Sequence, residues 1–273
     1  MKPIHFRTRR RLSVLVTLIA IVIVVMVNRW QQDRLGHASY FTGFTLLATL
    51  CLLMLLGIRR RLPVLPLGNV STWTQIHLYS GLFAAAVYAV HVPALIAGGQ
   101  FECTLSILFL LVSGSGFYGL YASRTVPRRL TAVPGEFRFE QIPWHRNEIA
   151  AAAGRLFDGV SEEAAMAVLK TFYRNVLNPF FASSPTFAYV VLPTGHRRRR
   201  LLSGLRELDR YLEQESRSTA GQFAALVRKR DDLDYQYALQ FRLRLWVVVH
   251  SVLSLLLFGG AIIHAAVALR FTM

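Results

Sequence analysis

The sequence predicts an all-α membrane protein: a five-span helical bundle with a large, mostly helical insert between spans four and five. Three observations carry this. Of 273 residues, 53% are apolar and 17% charged, which is too much apolar material for a solvated, disordered chain. The apolar residues gather in blocks of about twenty, the length that crosses a hydrocarbon core roughly 30 Å thick. The 31 Lys and Arg outnumber the 15 Asp and Glu and are spread very unevenly. Two cysteines, Cys51 and Cys103, exclude a disulfide framework.

The first block, 12–27, reads LSVLVTLIAIVIVVMV. It is long for a signal peptide, and Asn28, Arg29 and Trp30 follow it where small cleavage-site residues would stand, so a retained anchor is expected. The remaining blocks are 40–58, 73–96, 101–122 and 245–269. Twenty-eight of the 31 basic residues fall in 1–11, 59–61 and 124–244. Five alternating spans put these three regions on one side, and the positive-inside rule makes that side cytoplasmic. The expected location is a bacterial cytoplasmic (inner) membrane, with N-terminus and insert inside and C-terminus outside. Topology signalling and attraction to membrane lipid account for the net charge of +16, so no nucleic-acid partner is expected.

The chain thus divides into 1–123 with spans one to four, a cytoplasmic insert at 124–240, and 241–273 with span five. Pro127, Pro134 and Pro143 punctuate the start of the insert. Residues 136–142 (EFRFEQI) alternate polar and apolar as a half-buried strand does, and 186–192 (TFAYVVL) also reads as a strand; the two would pair as a small β-hairpin. Helices are expected over 145–157 and from Ser161, with Glu162 and Glu163 in its first turn, to about Val176. No proline occurs in 201–269, so one helix is expected to about Ser216 and another from about Gly221 straight into span five. The insert has no GxGxxG, P-loop, CxxC or HExxH, so no nucleotide, flavin or iron–sulfur site is expected in it.

Four of the eight histidines lie inside apolar blocks: His77 and His91 in the third, His250 and His264 in the fifth. Ionisable residues inside spans are costly and usually functional. Each pair is fourteen residues apart. Fourteen residues turn about 1400°, close to four full turns, so both members share a helix face about 21 Å apart along the axis. Trp73 and Trp246 each precede the first histidine by four, so W-x3-H-x13-H occurs twice. Spans three and five run parallel, which matches His77 in depth with His250 and His91 with His264. Two imidazoles at one depth clamp a haem iron from both sides, and two such pairs hold two haem b groups. Gly81 and Gly260, one turn from a histidine on the same face, make room for a flat ring. A zinc site needs three or four ligands close together, and a proton relay expects carboxylates, of which these spans offer only Glu102 at a loop edge.

The repeated motif resembles the haem core of the ferric reductase and NADPH oxidase transmembrane domain, and more broadly bacterial two-haem cytochrome b subunits. The resemblance covers spans three to five. It implies that His77 and His250 hold the cytoplasmic-side haem, and His91 and His264 the outer one. The large insert and the end at Met273 depart from reductases that continue into a flavin and nicotinamide domain.

Other residues carry two readings each. Trp73 and Trp246 either pack on the inner haem or anchor the interface. Arg124, Arg242 and Arg244 either pair haem propionates or signal topology. Arg197 to Arg200 either face lipid or solvent or form a docking patch, and Asp231, Asp232 and Asp234 either pair along their helix with Arg228, Lys229 and Arg230 or mark a proton or partner site just below the inner haem. The expected function is an electron-transfer subunit of an oxidoreductase complex, working between partner redox proteins such as cytochromes, a flavoprotein or an iron–sulfur protein. One alternative adds a quinone pocket, making the chain a quinol-oxidising or quinone-reducing anchor. Another is a haem-free scaffold or sensor.

Overall fold

The structure is a computed structural model, and it describes residues 6–34, 38–61, 69–159, 164–212 and 214–270. Every regular element among them is helical. The helices are α1 (Phe6–Asp33), α2 (Ala38–Arg61), α3 (Val70–His91), α4 (Gln100–Leu130), α5 (Ile142–Asp158), α6 (Ala164–Phe172), α7 (Asn178–Ala182), α8 (Phe187–Val191), α9 (His196–Leu208) and α10 (Gln214–Arg270). Four stretches are long and apolar enough to cross a membrane: Thr8–Asp33, Ala38–Gly57, Gln100–Leu130 and Arg217–Arg270. Helix α3 has the length, with 22 residues, but Gln75, His77 and His91 lower its hydropathy.

The chain forms two compact units, one of residues 1–118 with 248–273 and the other Gly119–Val247. Helices α4 and α10 each contribute to both.

In the first unit, α3 packs on α2 and α1. Helix directions follow from the polar contacts. Arg9 donates to Thr72 (3.2 Å) and Gln75 donates to Ser13 (3.2 Å), so α1 and α3 are parallel. His77 meets Leu53 and His91 meets Thr42, so α2 and α3 are antiparallel. The core is small: Val24, Leu46, Ala84, Val87, Tyr88, Phe109 and Leu257. Many large apolar side chains point outward instead, including Leu15, Leu18, Ile19 and Val22 of α1, Leu111 of α4 and Leu255, Leu256 and Ile263 of α10. A water-soluble helix would turn that face inward.

The second unit has a larger apolar core built on Ile142, Ile149, Leu169, Leu177, Phe180, Phe223, Val227 and Leu233. Helix α6 is followed by a wider turn over Tyr173–Leu177 that leads into α7, where Pro179 sits in the first turn. The expected helix start at Ser161 lies outside the described residues.

The expected β-hairpin is absent, since neither segment is a strand. In place of a strand, α10 side chains take up the backbone at the start of this segment: Gln236 accepts from the Phe137 amide (3.1 Å) and donates to the Gly135 carbonyl (2.6 Å), Gln240 donates to the Phe137 carbonyl (2.9 Å), and the Gln141 amide then closes a turn on the Arg138 carbonyl (2.9 Å). A backbone already bonded needs no partner strand. Over 186–192, local capping wins. Thr186 has extended backbone and its hydroxyl accepts from the Tyr189 amide (3.4 Å), which starts the single turn of α8. The C-terminal boundaries also differ: α9 ends at Leu208, and α10 is already helical at Gln214. Helix α4 runs through Pro127 to Leu130, because a proline in the last turn removes only one bond from the ladder.

Buried charges tie this unit together. Arg230, 1% exposed, pairs with Asp234 and donates to the Ser183 carbonyl (2.6 Å). Arg146 pairs with the same carboxylate (3.2 Å) and donates to the same carbonyl (2.9 Å). Arg198 pairs with Asp232 (2.8 Å) and Asp231 (3.6 Å). The acidic cluster thus binds three segments together as well as pairing along its own helix. Burial pushes the Asp231 and Asp234 carboxyls up, against the pull of their arginines, and lowers Arg230 to about 10.

Shared partners predict non-additivity. Arg230→Met is expected to cost little, since Arg146 still neutralises Asp234. Adding Arg146→Met leaves a buried carboxylate alone and is expected to cost about 3–5 kcal/mol. A carboxyl with a raised native pKa contributes stability that is complete at low pH and lost as pH rises through that value. The double variant's deficit should therefore shrink on acidification, measured by thermal unfolding in detergent.

Candidate functional site: paired histidines between two helices

The four span histidines are all half-buried in the first unit, and two of them meet ring to ring. His77 of α3 faces His250 of α10, with ring centroids 6.3 Å apart and planes at 73°. His91 lies within electrostatic reach of His264. The order of these pairs makes α3 and α10 parallel.

Each ring's Nδ1 faces an oxygen. The Leu53 carbonyl is 3.2 Å from Nδ1 of His77 and can only accept, so that nitrogen carries the proton. Ser115 gives its single hydroxyl proton to the Val112 carbonyl (2.7 Å), so it accepts from Nδ1 of His250 (2.7 Å). Thr42 donates to the carbonyls of Ala38 and Ser39 and therefore accepts from Nδ1 of His91 (2.9 Å). Nδ1 of His264 has the Glu102 carboxylate at 3.8 Å. A neutral imidazole protonated on Nδ1 has its lone pair on Nε2, the nitrogen it offers to a metal.

Local structure places these acceptors. Thr42 and Leu53 lie on α2, and Ser115 is on α4 with Gly116 beside the His250 ring. A Cβ on Gly43 would lie 3.3 Å from Cε1 of His91, so α2 approaches that ring closely. Tyr88 stacks on Phe109 (4.0 Å) and donates to the Leu95 carbonyl (2.6 Å), and the Ala97 amide donates to Ser106 (3.2 Å). These bonds pin the connection before α4, whose first turn carries Phe101, 6.3 Å from His264, and Glu102.

The other expected residues fall in varied settings. A Cβ on Gly81 would meet nothing within 4 Å. Gly260 receives Leu105 of α4, whose Cδ2 would be 2.6 Å from an added Cβ. Trp73 is half-buried on α3, four residues before His77. Trp246 is half-buried and rests its ring on Gly119, where a Cβ would collide with it. Arg244 pairs with Glu140 (2.6 Å) and covers the Phe139 ring.

Thr42, Gly43, Leu53 and Ser115 had no sequence signal of their own, and Glu102 stood out only as the one carboxylate near these spans. A hydroxyl residue inside an apolar block beside an unexplained histidine is the pattern that would have found Thr42 and Ser115. Among the described residues, no three or more His, Cys, Asp or Glu side chains converge. Where His77 and His250 meet, the chain brings two imidazoles together and, among the described residues, no third such group.

No family model matches the chain, and no curated protein or solved structure matches it either. The class defined by fold and site is an all-helical protein with several helices long and apolar enough to cross a membrane, carrying histidine pairs.

Gly119→Ala is expected to lift Trp246 off its seat. The overpacking should cost about 1–3 kcal/mol, seen as a lower unfolding temperature and a shifted tryptophan emission. Gly81→Ala, with open space around it, should leave the ligand-free protein's stability unchanged within about 0.5 kcal/mol.

Proposed function

We propose that this chain is a two-haem cytochrome b subunit that carries electrons across the cytoplasmic membrane. The observation that supports it most is the His77–His250 pair at 6.3 Å between ring centres, with both Nδ1 atoms engaged. Two metal–nitrogen bonds of about 2.0–2.1 Å, plus roughly 1 Å from nitrogen to ring centre on each side, give about 6 Å. The donor set fits a haem: neutral imidazoles of His77 and His250 would hold it, and the macrocycle would bring its own remaining ligands. Iron held this way supplies a one-electron couple with no open position for a substrate.

The protein's own residues do the rest. Ser115, Thr42 and the Leu53 carbonyl hold the Nδ1 protons, which orients each ring and makes Nε2 more basic. His91 and His264 form the outer pair, about 21 Å along the helix from the inner one. Glu102 is the acidic group at that edge. The open space at Gly81 accommodates the edge of a macrocycle. Helix α3 is then a fifth span whose polar residues face the bundle, where such residues are tolerated. The concentration of 28 of 31 basic residues in three regions supports a cytoplasmic N-terminus and insert, with the C-terminus outside. The insert seats a redox partner at the inner haem.

Purified protein is expected to contain about two haems per chain in a pyridine haemochrome assay; a ratio near one or zero sinks the proposal. His91→Ala should remove the outer haem and spare much of the inner one. Ser115→Ala should weaken inner-haem affinity about 10–100-fold.

Topology has its own test. A cysteine introduced at exposed Ser184 should react with impermeant reagents from the cytoplasmic side alone, and labelling from outside would exchange the two haem sites. Reduction of the haems by quinol without any added protein would favour the quinol-oxidising alternative over a protein donor.

A further inference from the structure

We propose that the α8–α9 corner of the second unit is a lipid-docking surface that inserts Phe187, Val191 and Leu192 into an anionic membrane, with Arg199 and Arg200 on the headgroups. The corner has two sides. Inward, Val190 is buried and Tyr189 donates to Asp231 (3.5 Å). Outward, Phe187 is 75% exposed, Leu192 71% and Val191 45%. Three large apolar side chains within six residues of chain stand in solvent, although the same unit buries Phe180, Phe181 and Phe223.

Cations adjoin this patch. Helix α9 opens with His196 and four arginines. Arg197 turns back to Ser183 (3.1 Å) and lies over the Phe180 ring (4.7 Å), which folds the first turn of α9 beside the segment entering α8. Arg198 is taken up by Asp231 and Asp232. Arg199 and Arg200 are exposed and make no ion pair among the described residues, Arg199 touching only the His196 ring (3.4 Å). Cations in a first turn sit at the unfavourable end of the helix dipole, so helix stability does not account for them.

Exposed apolar side chains beside unneutralised arginines match an interfacial anchor on anionic lipid. The chain also carries helices able to cross a membrane, so a bilayer is present at high effective concentration. A protein partner would need its own acidic apolar face, whereas the inner leaflet supplies both features.

The test uses the full chain in vesicles, with Cys51 and Cys103 replaced by Ala and an environment-sensitive fluorophore on Leu192→Cys. With phosphatidylglycerol in phosphatidylcholine, emission should shift blue and be quenched by nitroxides on the lipid acyl chains. Pure phosphatidylcholine, high salt, or Arg199→Glu with Arg200→Glu should each return it towards the water value. Phe187→Ser should also diminish the shift in anionic vesicles. Water-like emission in both lipids overturns the proposal. So does a blue shift indifferent to lipid charge and to the arginine changes, and so does a blue shift that acyl-chain nitroxides fail to quench, which would mean a protein surface covers the corner.

Discussion

An imidazole inside an apolar helix has one N–H to give and one lone pair to offer, and burial makes leaving the first unsatisfied expensive. Much of the arrangement of the first unit follows from that demand. Helix α2 brings a carbonyl to His77 and a hydroxyl to His91. Helix α4 brings a hydroxyl to His250 and a carboxylate towards His264. In each hydroxyl case the proton is already given to the helix's own carbonyls, so the oxygen accepts from the ring. The histidines thereby favour the faces of α2 and α4 that turn towards α3 and α10, where the rings of His77 and His250 meet.

The two units solve burial differently. The second collects aromatic and aliphatic side chains inside and pairs its buried charges, as a water-facing body does. The first keeps a thin core and turns Leu, Ile and Val outward along α1, α4 and α10. Outward apolar faces on helices of this length suit a solvent that is itself apolar.

The helical class was legible because long apolar blocks need no tertiary information, and the meeting of His77 with His250 was legible because equal spacing on two helices fixes equal heights. The acceptors were not, since Thr42 and Ser115 look like ordinary small residues until a second helix supplies the ring. Alternation misled at 136–142, where Gln236 and Gln240, about a hundred residues later, take the bonds a strand would have made. At 186–192 the capping hydroxyl of Thr186 outweighed β-branched content. The acidic cluster on α10 was expected to pair along its helix. Arg146 and Arg198 join from other segments, which spacing along one helix does not reveal.

The glutamine clamp has a consequence for how this protein tolerates its own neighbours. The sequence EFRFEQI, extended and unpaired, would be a ready template for a second copy. Gln236 and Gln240 occupy the amide and the carbonyl of Phe137 in this stretch, while Phe139 is stacked on Tyr237 (4.9 Å). With both backbone groups of Phe137 taken, the ladder such a template needs is interrupted at its second residue. When copies of the chain come close together, that interruption works against this stretch recruiting a partner strand.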